Sequence, residues 1–119
     1  LCGDALDIYA GNDDLTLPLL SIGGAGVISV AANVVPKAVR RITDCFFAGD
    51  ADGAAKAQLA LLDLAEALFC EVNPIPVKAA LAALGFCRDH LRLPLTPMEP
   101  QNRAKLFAAL REFYPDIPE

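Results

Sequence analysis

Apolar and polar positions fall into blocks along this chain, and the block lengths suggest its elements. "LDIYAG", Leu6–Gly11, is short, apolar-rich and ends in glycine, as a buried strand does. "DDLTLPLLSIG" follows and has the marks of a short helix. Its acids stand at the positive end, Pro18 falls in or near the first turn, and Gly23 or Gly24 supplies a left-handed stop. "VISV", Val27–Val30, is β-branched at three of four positions and forms a second buried strand. Strand, helix, strand is a βαβ unit, which implies parallel neighbours and a right-handed crossover.

The remainder is helical. Asn33 is placed to cap a helix with Pro36 in its first turn, running through "KAVRRITDCFFAG" to about Gly49. A longer helix spans about Asp52 to Glu71. Ala57, Leu61, Leu64, Ala65, Leu68 and Phe69 share one broad arc, opposite Lys56, Asp63 and Glu66. So wide an apolar arc asks for cover on more than one side. "NPIP" at 73–76 breaks the chain, and "VKAALAALG" makes a further helix ending at Gly85. "RLPLTPMEP" is extended, because its prolines exclude helix. A final helix carries Leu106, Phe107, Leu110, Phe113 and Tyr114 as an amphipathic stripe.

The order is therefore β, α, β, then four helices. Two strands alone make no stable sheet. The pattern fits the last two βα units of a larger α/β fold, residues 1–49, followed by a helical appendage, residues 50–119.

The uncharged run from Leu15 to Pro36 raises a membrane span as an alternative, since its length permits one. Gly23, Gly24 and Gly26 stand in its middle and punctuate it rather than propagate a helix. The segment is expected to be helix, glycine turn and strand, with no membrane crossing.

Composition sharpens this picture. The 119 residues suffice for one domain, yet 55% are apolar, which is high for a small chain that must face water. Missing chain or a second subunit would supply the cover. The N-terminus begins abruptly without Met, as a piece cut from something longer would, and shows no signal peptide. The net charge is −5 and no basic patch with interleaved aromatics appears, so nucleic acid is not expected as a partner. Cysteines at 2, 45, 70 and 87 lack CxxC spacing and His90 is alone, so no metal site is expected. Buried free thiols in a reducing cytoplasm are the expectation.

In parallel α/β folds the site lies at the carboxyl ends of the strands. Here those ends are "AGNDD" and "SVAAN". Gly11 lets backbone approach a ligand closely. Asn12, Asp13 and Asp14 begin the helix, with amides available to an anion or polar tail. The plainer alternative is that Asn12 or Asp13 only caps that helix. Ala31 and Ala32 either leave space at the second strand's mouth or pack. Lys78 would suit a Schiff base only if desolvated, and a surface lysine is the ordinary reading. His90 reads as a loop histidine. Ser29 lacks a G-x-S-x-G setting. Tyr9 is either an acid–base group or a barrel side chain. The residues by themselves show half a pocket and no catalytic nucleophile.

"YAGNDDLTLPLLSIGGAGVISVAANVVP", "NPIPVKAALAALG" and "LRLPLTPM", in that order, resemble the C-terminal portion of the 4-hydroxy-tetrahydrodipicolinate synthase (dihydrodipicolinate synthase) family, in the N-acetylneuraminate lyase superfamily. The resemblance implies a (β/α)8 TIM barrel with a C-terminal helical extension. This chain would hold its seventh and eighth strands and the extension. It also implies a class I aldolase-type lyase acting in the cytoplasm, on the route to diaminopimelate and lysine. A lysine on the sixth strand, outside this chain, would form an imine with pyruvate, and the enamine would attack aspartate semialdehyde. No separate cofactor is implied. Gly11 corresponds to the glycine near the semialdehyde, and Ile28 to the isoleucine that contacts pyruvate. "GND" stands where "GDD" is commoner, which changes a charge at the rim beside Asp13. The family suggests a homotetramer or dimer. Rivals are another pyruvate-dependent aldolase of the superfamily, of the N-acetylneuraminate lyase or 2-keto-3-deoxy-sugar-acid aldolase type, and a non-catalytic helical interaction module.

Overall fold

The computed structural model describes residues 5–117. Strand β1 (Tyr9–Ala10) leads through a 3-10 turn (Asp13–Leu15) into helix α1 (Thr16–Ser21) and strand β2 (Gly26–Val27). A second 3-10 turn (Ala31–Asn33) opens into α2 (Pro36–Phe47), followed by α3 (Ala51–Leu68), α4 (Ile75–Ala83) and α5 (Pro100–Arg111). The βαβ unit and the four later helices therefore appear in the expected order.

The strands run parallel, with Tyr9 beside Gly26 and Ala10 beside Val27. Flanking bonds from the Ala25 amide to the Ile8 carbonyl (2.7 Å) and from Ile28 to Ala10 (2.9 Å) extend the pairing. Both strands are shorter than Leu6–Gly11 and Val27–Val30 suggested. Each has a single neighbour among the described residues, so only the facing positions form a ladder. Past Ile28 the backbone bends into the 3-10 turn at Ala31.

Glycine ends the helices where the sequence placed it. Gly23 (φ 98°) follows α1 and Gly49 (φ 79°) follows α2, both in the left-handed region that a side chain disfavours. The caps differ more. Asn33 does not cap α2; it lies within the 3-10 turn and its side-chain amide donates to the Val30 carbonyl (3.1 Å). Asp50 caps α3, accepting from the Gly53 amide (2.8 Å). Glu71 serves the start of α5 from a distant part of the chain, accepting from the Glu99 amide (3.0 Å) and Asn102 (2.8 Å).

One core runs through the molecule. Leu20, Val34 and Ile42 meet Leu61, Leu64 and Leu68 of α3 and Leu106 and Leu110 of α5. Tyr114 closes it, its hydroxyl donating to the Val34 carbonyl (2.6 Å). The turn at Gly49 and Asp50 thus separates two halves of the chain that share a core. The buried face of α3 is Ala54, Gln58, Leu61, Leu64, Ala65, Ala67 and Leu68. This corrects the expected arc: Ala57 is half-buried and Phe69 is exposed. Residues 92–99 are free of helix, as expected, but Pro100, the last residue of the run expected to be extended, opens α5, because a proline needs no amide partner in a helix's first turn. Arg103 anchors the preceding loop through Asp89 (2.7 Å) and lies over the Phe107 ring (4.8 Å).

No helix among the described residues is long and apolar enough to cross a membrane. Cys45 is half-buried, but Cys70 and Cys87 are exposed, so the expectation of buried thiols fails for both; Cys2 lies outside the described residues.

Candidate functional site

The carboxyl ends of β1 and β2 lie side by side because the strands are parallel. The Ile28–Ala10 hydrogen bond carries the register one position further and sets Gly11 beside Ile28. Ala10 is buried and Val27 packs against the core. Strand alternation therefore turns Gly11 and Ile28 to the opposite face. There Ile28 is 71% exposed, and a Cβ on Gly11 would meet no atom within 4 Å. The geometry brings these two sequence-selected residues together on an open face. Tyr9 belongs to the same face by alternation, where its ring abuts Gly26 closely enough that a Cβ there would stand 3.1 Å away.

Asn12 is exposed at the rim and its side chain makes no capping bond. Asp13 behaves otherwise. It is 0% exposed, and its carboxylate turns away from its own helix toward the loop after β2. One oxygen accepts from the Ser29 hydroxyl. The other accepts from the amides of Val30 and Ala31, each at 3.1 Å. Ser29 Oγ in turn accepts from the Ala32 amide (2.7 Å). The amides at the start of the Ala31–Asn33 turn are thus satisfied by Asp13 from the first loop and by the neighbouring Ser29, and the buried carboxylate gains the donors it requires.

Two expectations are corrected here. Neither Asn12 nor Asp13 caps the helix that follows it. Asp13, counted among the substrate-binding candidates, is not open to a ligand in this chain, because both its oxygens are occupied within the protein. Ala31 is fully buried and packs, while Ala32 is half-buried.

The first loop is held from behind by Gln58 of α3, a residue that sequence reasoning missed. Its amide nitrogen donates to the Asp13 carbonyl (3.1 Å) and its amide oxygen accepts from the Leu17 amide (2.9 Å). Thr16, fully buried, donates its hydroxyl to the same Asp13 carbonyl (2.9 Å). A polar residue standing in the apolar stripe of a helix was the available signal for Gln58.

The remaining candidates stand apart. Lys78 is half-buried on α4, and His90 is exposed in the loop beyond it; neither side chain bonds to the residues around Gly11 and Ile28. No group of three or more His, Cys, Asp or Glu side chains among the described residues suits a metal ion. The Cys70 thiol is pushed above its ordinary value, first by partial burial of the sulfur and then by the neighbouring Glu71 carboxylate. It lines a groove of about 450 Å³ with Asn12, Asp14, Glu66 and Phe69.

Two parallel strands joined by a helix, with their carboxyl ends side by side, make the described chain an α/β protein with a two-stranded parallel sheet. The chain belongs to the Dihydrodipicolinate synthetase family, whose model matches residues 1–113. It is 50% identical over 113 residues to the 4-hydroxy-tetrahydrodipicolinate synthase of Geobacter sulfurreducens, and 49% identical to that of Trichlorobacter lovleyi. Each match covers 95% of this chain and 39% of the relative. Among solved structures, the dihydrodipicolinate synthase of Aquifex aeolicus superposes with a TM-score of 0.92 at 41% identity, covering 98% of this chain and 40% of that one. The chloride-inhibited enzyme of Acinetobacter baumannii, complexed with pyruvate, superposes with a TM-score of 0.85 at 39% identity, covering 90% and 37%. The chain thus spans about two fifths of the length of the relatives it matches.

Proposed function

We propose that this chain is the C-terminal part of a 4-hydroxy-tetrahydrodipicolinate synthase: the last two βα units of a TIM barrel, residues 1–49, and a helical extension, residues 50–119. The whole enzyme condenses pyruvate with aspartate semialdehyde in lysine and diaminopimelate biosynthesis. The observation that carries this reading is the pairing of Gly11 with Ile28 on an open strand-end face, within a chain 49–50% identical to named synthases.

In this reading a lysine outside the chain supplies the nucleophile. Its amine adds to the pyruvate ketone and water leaves, giving an imine. Loss of a proton from the methyl carbon gives an enamine, whose carbon attacks the aldehyde of the semialdehyde. No further cofactor takes part. The contribution of this chain is the wall. The Ile28 side chain keeps water from the imine, and a dry site favours a neutral, nucleophilic lysine. Gly11 leaves room for the semialdehyde, and Asn12 offers it a polar rim. In this reading the enzyme acts in the cytoplasm and assembles as a homo-oligomer.

The test uses the full-length protein. Incubation with pyruvate and borohydride should leave a covalent adduct on a lysine upstream of Leu1, and aspartate semialdehyde should be turned over. Trapping on Lys78 instead, or no adduct, would refute the assignment. Adduct formation without semialdehyde turnover would favour a sister aldolase, consistent with the same lysine chemistry.

A further inference from the structure

Asp13 spends a fully buried carboxylate on the loop that follows Ile28. We propose that Asp13, acting with Ser29, is a positioning residue for the reaction: it fixes the backbone after Ile28 so that Ile28 meets pyruvate in one geometry. This role rests on the reading of the chain as part of the synthase.

The argument is geometric. Ile28 is held on its N-terminal side by β1, through its amide bond to Ala10 (2.9 Å). On its C-terminal side the next residue, Ser29, donates to Asp13 and accepts from Ala32 (2.7 Å). The two amides after that donate to Asp13 (3.1 Å each). The backbone of residues 29–32 is therefore tied to a single carboxylate, directly or through one hydroxyl. The backbone that carries this carboxylate is itself held. Gln58 and Thr16 both donate to the Asp13 main-chain carbonyl. Helix α3, distant in sequence, thereby braces the site through Gln58 and Asp13.

Bulk packing alone would not need this arrangement. Ile28 is 71% exposed in this chain, so side-chain contacts within it do little to hold it. The hydrogen bonds on either side have to. A charged acceptor makes stronger bonds than a neutral one and leaves less freedom in the loop.

Asparagine at position 13 isolates the effect. Its carbonyl can keep the two amide bonds, but its NH2 group then faces the Ser29 oxygen, which already accepts from Ala32. The Ser29 proton loses its acceptor and the charge is gone. In the full-length enzyme, Asp13→Asn should raise the pyruvate KM about tenfold or more, with a smaller change in kcat, because one charged hydrogen-bond acceptor is lost at a binding wall. Ser29→Ala should act in the same direction by about three- to tenfold, and Ser29→Thr, which keeps the hydroxyl, should recover most of that loss. Amide exchange at residues 30–32 should accelerate in Asp13→Asn. If Asp13→Asn does not fold, the Ser29 pair decides the matter. Wild-type pyruvate KM in the folded Asp13→Asn protein, or equal KM in Ser29→Ala and Ser29→Thr, would overturn the proposal. Borohydride trapping of the wild type separates the two ideas. An adduct with unaffected variants removes only the role of Asp13, whereas no adduct removes the reaction and this role with it.

Discussion

Asp13 stands between two exposed neighbours, Asn12 and Asp14, and only it is buried. The local sequence "NDD" reads as a helix start, and each of its members suits a cap. What distinguishes Asp13 is a set of donors 16 to 18 positions further along the chain, at Ser29, Val30 and Ala31. Gln58 is the matching case on α3. Replacing it with leucine keeps the bulk but leaves the Leu17 amide and the Asp13 carbonyl without that partner. We expect Gln58→Leu to destabilise the full-length protein by about 1–3 kcal/mol, the usual cost of stranding buried polar groups. A urea titration checks this. An unchanged midpoint would show that water or another group replaces the amide. Gly11 and Ile28 were legible as strand-end residues because a short apolar run and the glycine that ends it are local properties; the roles of Ser29 and Gln58 were not, because their partners lie elsewhere.

At the scale of elements, the helices were read more faithfully than the strands. Helix α3 begins at its expected place and runs to Leu68, since alanine and leucine favour helix throughout and Asp50 caps it. Its buried face is nonetheless rotated from the apolar arc, because α2 packs on one side and α5 on another. Leu61 lies at the centre of that packing and is 0% exposed. Leu61→Ala should cost about 2–5 kcal/mol, the range for a buried leucine truncated to alanine. Chemical denaturation of the intact protein measures it, and a loss well under 1 kcal/mol would mean that the α2–α3 core is not formed as described. The strands shortened because a ladder needs a partner at every position, and each strand here has one neighbour. Helix α5 starts at Pro100 under a cap from Glu71, a pairing that no local signal announces.

At the scale of the molecule, both outer strand edges are open among the described residues, and large apolar side chains sit beside them. Leu6, Ile8, Tyr9 and Ile28 are 59%, 53%, 50% and 71% exposed. The radius of gyration is 15.4 Å, against about 13.5 Å from the size scaling of a compact domain of this length. Such a surface associates with something. The 119-residue chain on its own should therefore self-associate and give no pyruvate adduct under borohydride. Sedimentation and mass spectrometry test the two parts, and a monomer that unfolds cooperatively would contradict the first. The high apolar content foresaw this need for cover, because composition counts buried surface whatever buries it. By itself the sequence determined the order of elements, their glycine stops, and the two residues at the strand ends, all of which follow from periodicity and backbone preference within a few positions. Pro76 and Pro100 instead open helices, Pro76 in the first turn of α4 and Pro100 at the start of α5. Only the tertiary structure decided that Asp13 turns inward and that α3 braces the site, because those bonds join residues separated by 17 and 45 positions, and a buried carboxylate is placed by the donors that surround it.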